Sequence, residues 1–342
     1  MRNSWTGGQY SWFRILLAAQ LLCSWLMQGG LSSATPGQAL PASWHWAGLA
    51  VPLLCLLLGI GFLDRMAAAI LVGLWWICFG HTGLWQVGVW LLMVHCFLPS
   101  APFGSWAAGG RTDPGGSWSF PGWLFALVWA CYTIPGVSQT LSLRTNVMVG
   151  ILVFGTAWFD SVRPWTWAGL LLALAAEFAL AGVGGSSRWL LAILAFDPGW
   201  IPPYQTGEKP VLFYDGHCGL CHRAVRFVLA EDQTGEAFRF APLDSAAFRE
   251  QVPEAARQRL PDSLVIRTSQ GILLTRWVAV TDLLNRLGGS WRVFGTLARV
   301  LVPRSLGDAL YDGIARLRHR LFRPPQDVCP LLPPHLRSRF EA

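Results

Sequence analysis

Two cysteines separated by two residues, Cys218 and Cys221, are the feature of this 342-residue chain whose types and spacing point most directly to chemistry. Upstream, Val211–Tyr214 reads as a short buried strand and Asp215-Gly216-His217 as a turn. Downstream, Gly219–Glu231 carries Leu220, Ala224, Val225, Phe227, Val228 and Leu229 in a helical pattern. Cys218 is therefore expected at a helix N-terminus, where unpaired backbone N–H groups and the helix dipole stabilise a thiolate. The thiolate is the nucleophilic form of cysteine. Cys221, one turn further in, is placed to attack a mixed disulfide and release the reduced product. The expected order is attack by Cys218 and resolution by Cys221. Asp215 has two roles open to it: proton acceptor for Cys221 or orienter of His217, and simple cap of the turn backbone. His217 and His222 flank the pair, where they either tune the thiolate by charge or lie exposed beside it.

Zinc is the rival use of such a pair. A structural zinc needs four ligands, usually from two such pairs, and this sequence has no second one. Cys329 and His335 would have to complete the set from a Pro-rich tail more than 100 residues away. The expectation is a metal-free, cofactor-free dithiol, with zinc at Cys218 and Cys221 as the minor alternative. No Gly-x-Gly-x-x-Gly stretch offers a nucleotide cradle, so electrons are expected from a partner thiol or disulfide.

The elements that must hold the pair follow in order. Ala237–Ala241 reads as a second strand and Ala246–Leu260 as a helix. Ser263–Arg267 and Ile272–Thr275 flank Thr268-Ser269-Gln270-Gly271, a hairpin signal. Helices are expected at Trp277–Leu287 and Trp291–Leu301, then a basic one at Leu306–Phe322. A Cys-x-x-Cys between strand and helix in such an α/β domain is the redox arrangement of a thioredoxin-like fold. In those folds a proline before the strand facing the dithiol is usually cis. Pro261 is the candidate for that role, against an ordinary helix terminator after Leu260.

Tyr214-Asp215-Gly216, Cys218 and Cys221, with Val225 and Phe227, resemble the DCC family of predicted thiol-disulfide oxidoreductases, named for Asp-x-x-Cys-x-x-Cys. The similarity continues through Phe238–Leu243, Asp262–Val265 and Asp308–Asp312 and ends near Cys329, covering about residues 210–340. The resemblance implies a thioredoxin-like fold and dithiol chemistry at Cys218 and Cys221, with Asp215 as the third signature position.

The first 200 residues belong to a different solvent. They hold 18 of the 20 Trp but only seven of the 26 Lys and Arg. Ser11–Gln28, Trp46–Leu63, Gly122–Gln139 and Trp165–Val183 are apolar over lengths that suit a bilayer span. Ala67–Gly80, Leu84–Leu98 and Val147–Phe159 are shorter, and Trp189–Phe196 looks interfacial. The expectation is a polytopic helical bundle of about seven segments in residues 1–200, a linker at 201–210, and a thioredoxin-like domain at 211–342. The first helix is expected to be retained, although Leu31–Ala34 offers small residues for signal cleavage. Arg2 and Arg14 mark the N-terminus as cytoplasmic. Seven spans put the C-terminal domain outside, and an even number puts it in the cytoplasm. The opening Trp5–Ser11 with Phe13-Arg14 is similar to membrane domains fused to DCC domains, themselves similar to the transmembrane part of vitamin K-dependent carboxylases.

The formal net charge of +7 does not argue for nucleic acid, because 25 of the 26 basic residues are scattered arginines. Arg316, Arg318, Arg320 and Arg323 form the densest cluster, read as a solvated helix face with anionic lipid the next candidate. Cys23, Cys55, Cys78, Cys96 and Cys131 lie singly in apolar runs and read as small hydrophobes. The leading expectation is a multi-pass bacterial membrane protein that exchanges disulfides with a protein or small thiol. The alternative is a transporter or lipid-modifying enzyme built around Glu177 and His95 in the bundle, with a regulatory soluble domain.

Overall fold

The computed structural model describes residues 1–27, 45–79, 86–133, 150–151, 153–181, 186–204, 207, 209–321 and 333–341. Expectations that concern Leu31–Ala34, Arg323 or Cys329, and the side chains of Cys78, Glu177 and Arg320, lie outside the described residues. The chain divides into two compact units. One comprises Met1–Trp5, Tyr10–Gly109 and Trp118–Asp197; the other comprises Thr6–Gln9, Gly110–Ser117 and Pro198–Ala342.

The first unit is helical: α1 (Gly7–Met27, in this unit from Tyr10), α2 (His45–Ile60), α3 (Asp64–Phe79), α4 (Gln86–Phe97), α5 (Gly122–Thr133), α6 (Arg163–Ala181) and α7 (Ser186–Ala195). Among the described residues, α1 alone is long and apolar enough to cross a bilayer by length and composition. The apolar cores Leu49–Ile60, Val87–Phe97 and Gly122–Cys131 are shorter. The seven-segment expectation is therefore met by one clear span candidate. α2 ends at Ile60 before Gly61, and α4 ends at Phe97 before Pro99, residues that stop a helix. Its lone cysteines differ: Cys55 is buried, Cys96 and Cys131 are half-buried and Cys23 is exposed.

The second unit is built on a four-stranded sheet of order β2-β1-β3-β4, where β1 is Val211–Tyr214, β2 Arg239–Pro242, β3 Val265–Arg267 and β4 Leu273–Thr275. β1 runs parallel to β2 and antiparallel to β3, and β3 forms a hairpin with β4. All four residues of β1 are buried, as a near-continuous apolar strand between two neighbours requires. Successive side chains alternate between faces. Leu212 and Tyr214 join Cys218, Cys221, Val225, Phe240 and Ile266 in one core cluster, while Val211 and Phe213 join Ala241, Phe248 and Val265 in the other. A mixed sheet flanked by helices fits the expected thioredoxin-like class.

The single helix expected over Ala246–Leu260 is two short ones, α9 (Ala246–Gln251) and α10 (Glu254–Arg257). Pro253 lacks the N–H that a continuous helix needs and restricts Val252 before it. The chain passes through α8 (Gly219–Glu231) between β1 and β2. After β4 come α11 (Arg276–Leu287), α12 (Gly289–Leu301) and α13 (Arg304–Leu321), and then a short α14 (Pro334–Arg337). Gly288 joins α11 to α12 at φ +70° and ψ −168°, a conformation open essentially to glycine alone. α13 is pinned to α11 in three ways. Gly307 lies against the Trp277 ring with no room for a Cβ, the Trp277 N–H donates to Asp308 at 3.1 Å, and Arg276 pairs with Asp312 at 3.0 Å.

Candidate functional site

The site begins where β1 ends. The Asp215 carboxylate accepts the His217 N–H at 2.9 Å, closing the turn that redirects the chain into α8. Cys218 is the N-cap of α8, in extended conformation, and its Sγ accepts the backbone N–H of Cys221 at 3.3 Å. That is the bond a helix N-terminus offers to a cap acceptor, here with sulfur in place of the usual oxygen. The arrangement holds the two cysteines one turn apart with the first sulfur drawn toward the second residue. His222 contacts the Gly216 carbonyl through its ring at 3.0 Å, whereas His217 is largely exposed and 4.0 Å from the equally exposed Asp244.

Both cysteines are buried, Cys218 at 1% and Cys221 at 8% exposure, within the core cluster that contains Tyr214, Phe240 and Leu264. Burial pushes the Cys221 thiol up to about 12, reinforced by the adjacent Cys218 and opposed by a backbone hydrogen bond at Asp215 and the charge of Arg318. Cys221 is thus held as a neutral thiol at ordinary pH, the state suited to a group that waits for its partner to react first.

Arg318, on α13, is the residue that sequence reasoning misplaced. It was grouped with a solvated or lipid-facing cluster, yet its side chain is only 5% exposed. One terminal nitrogen reaches both oxygens of Asp262 at 2.7 Å and stands 3.8 Å from the Asp215 carboxylate. Burial pulls the guanidinium pKa down, but the bonds and charge of Asp262, with the two cysteines, raise it on balance. A fixed cation is therefore coupled to both sulfurs. From the same helix, the Tyr311 hydroxyl accepts the Leu264 N–H at 2.9 Å, just before β3. Helical spacing did not single out Arg318 among the arginines of α13: it lies one turn beyond the exposed Ile314, on the flank of the apolar stripe.

Of the predicted residues, Cys218, Cys221 and Asp215 come together. Asp215 caps the turn by accepting the His217 N–H, and its carboxylate stands 3.8 Å from Arg318. Pro261 does not take the expected form, because no cis peptide bond occurs among the described residues. Asp262, Ser263 and Leu264 separate it from β3, so the residue adjoining the strand is Leu264. A trans proline suffices to end the turn that follows α10. Among the described residues, no three His, Cys, Asp or Glu side chains are grouped to hold a metal ion.

Other buried charges of this unit serve structure. Asp232 accepts the N–H groups of Gly235, Glu236 and Ala237 and pairs with Arg339 at 2.6 Å. Glu231 is buried and accepts from the Trp291 indole at 2.6 Å and from the Gly8 N–H at 2.9 Å. Burial raises its carboxyl pKa, and these donors oppose the rise. In the helical unit, Arg14 lies 3.3 Å and His95 3.6 Å from Asp64, and the Tyr10 hydroxyl is 2.5 Å from the other nitrogen of His95. Arg163 pairs instead with Asp197 at 2.9 Å.

Comparison with known proteins agrees with this geometry. A family model described as DCC1-like thiol-disulfide oxidoreductase matches residues 212–324. That interval contains β1, the dithiol and Arg318. The uncharacterised protein YuxK of Bacillus subtilis is 31% identical over 134 residues, which are 38% of this chain and 92% of YuxK. No solved structure matches the chain significantly. With the dithiol turn, the sheet and the α13 residues all inside the matched interval, the chain belongs to the DCC1-like thiol-disulfide oxidoreductase family.

Proposed function

We propose that this protein is a membrane-anchored thiol-disulfide oxidoreductase that works through Cys218 and Cys221 in the manner of a protein-disulfide reductase. The observation that carries the reading is the Cys218 N-cap, whose sulfur accepts the Cys221 N–H beside the buried guanidinium of Arg318. Cys218, as thiolate, attacks one sulfur of a substrate disulfide, and the other sulfur leaves as a thiolate that takes up a proton. Cys221 then gives up its proton and attacks the Cys218 sulfur of the mixed disulfide. The second substrate thiol departs and an intramolecular disulfide remains. Two electrons have moved from the dithiol to the substrate, and a partner thiol or dithiol restores them. Because both sulfurs are buried, the exchange requires local opening of the segments around them.

Membrane attachment rests on α1, which is long and apolar enough to span, and on the apolar composition of residues 1–200. The dithiol proposal is tested by alkylation-shift titration of the full-length chain across a glutathione series, with Cys218→Ser and Cys221→Ser as controls. A reversible two-electron couple that requires both residues supports it. No couple, together with stoichiometric zinc in the purified protein, would assign the pair a structural role.

A second reading makes the helical unit the active one, and a specific observation favours it: Arg14, Asp64, His95 and Tyr10 form a buried polar network. Buried ionisable groups in apolar helices mark transport or catalytic sites. Replacing Asp64 with Asn, or Glu177 with Gln, separates the readings. Lost cellular function with an intact redox couple favours the helical unit, and unchanged function sinks it.

A further inference from the structure

The helices that follow the hairpin carry an apolar face that the dithiol chemistry does not use. On α12 and α13, Leu297, Val300, Leu301, Leu306, Leu310 and Ile314 are each about half exposed or more, from 48% to 74%. Val300 and Leu301 follow Leu297 by three and four residues on α12, and Leu306, Leu310 and Ile314 stand four apart on α13, so each set forms one stripe of its helix; Val302-Pro303 joins the two helices. A contiguous exposed face of this kind on a soluble domain marks an interaction surface.

The charges around the stripe indicate what covers it. Asp308 and Asp312 turn inward to Trp277 and Arg276, so the acidic groups of α13 are engaged within the domain. Arg304 and Arg316 flank the stripe of α13 on its two sides; Arg316 is exposed with no acidic partner among the described residues, and Arg304 makes only an exposed i, i+4 pair with Asp308. Aliphatic side chains on one face, flanked by arginines and lacking free acids, have the chemistry of a helix lying in the headgroup region of an anionic bilayer.

We propose that α12 and α13 dock onto an anionic membrane surface through this face. The flank of α13 next to this stripe carries Tyr311 and Arg318, which reach Leu264, Asp262 and the surroundings of the dithiol. This contact is independent of whether Cys218 and Cys221 exchange disulfides.

The test places the photo-crosslinker p-benzoylphenylalanine at Leu297 or Leu310 of the full-length chain. The protein is reconstituted in vesicles of phosphatidylcholine, with or without phosphatidylglycerol. Glu254, an exposed residue of α10, carries the crosslinker as control. The expected result is lipid adducts at Leu297 and Leu310, enriched with phosphatidylglycerol and absent at Glu254. Reversing Arg316 to Glu lowers the adduct yield by about fivefold at low salt. Cross-linked pairs of chains in place of lipid adducts overturn the proposal and assign the face to an interface between copies. So does the absence of adducts at both positions in protein that keeps the wild-type thermal transition.

Discussion

Replacing Arg318 with Gln tests whether the buried guanidinium sets the redox poise of the dithiol. The side chain is 5% exposed, so solvent screens its charge little. A cation close to a thiolate favours the ionised form by roughly 1–3 pKa units. The lower end applies here, because Asp262 and Asp215 share the same guanidinium. One unit corresponds to about 1.4 kcal/mol. The stabilised species is the reduced, ionised dithiol, so losing the cation disfavours reduction, and the potential falls. For a two-electron couple, 1.4 kcal/mol is about 30 mV. The assay is an alkylation-shift titration against glutathione at a pH high enough for one thiol to ionise. Arg318→Gln is expected to be more reducing by about 30 mV, and Arg318→Lys, which keeps the charge, to recover most of that shift. Equal potentials in all three proteins would show that Arg318 is only a clamp on Asp262. Equal shifts in the Gln and Lys variants would show that geometry, not charge, is what matters.

Four further outcomes follow from the same structure. Cys221→Ser is expected to accumulate mixed disulfides and Cys218→Ser to form none, read by non-reducing gels of cells quenched in acid. In Cys218→Ser, the raised pKa of Cys221 leaves it un-ionised near neutrality, with burial as its main cause. Its alkylation should stay slow at pH 7 and climb steadily through pH 10, and fast labelling at pH 7 would contradict the assigned roles. Tyr311→Phe leaves the Leu264 N–H without its acceptor and should cost about 1–3 kcal/mol, seen as a lower thermal midpoint. Asp232→Ala removes one partner of a buried ion pair and the acceptor of three backbone N–H groups. It should cost about 3–5 kcal/mol in chemical denaturation, and a loss below 1 kcal/mol would mean that the turn re-forms with water.

What the sequence determined by itself was local. Val211–Tyr214, the turn, and the helical spacing from Leu220 to Leu229 placed a strand, a bend and a helix around Cys218 without reference to the rest of the chain. Cys-x-x-Cys at that junction then carried the chemistry, because a helix N-terminus is a local electrostatic feature. The Gly271 turn of the hairpin was equally legible, since Gly271 adopts φ +78° within four residues of sequence. The break at Pro253 was also written in the sequence, but the apolar spacing on either side of it masked the signal.

What only the tertiary structure decided concerns groups far apart in the chain. Arg318 lies 97 residues beyond Cys221 and is one of several arginines on a basic helix. Spacing alone could not tell which arginine turns inward to Asp262 and which remain with the exposed face of Leu310 and Ile314. That choice follows from the packing of α13 on α11, where Gly307 admits the Trp277 ring and Asp308 caps its N–H. In the helical unit, hydropathy marked the apolar runs, and Gly61 and Pro99 close two of the helices that form there. Partners such as Asp64 for His95 were fixed by which helices lie side by side. Short-range order is encoded in neighbouring residues, whereas the identity of a buried charge's partner is a property of the packed whole.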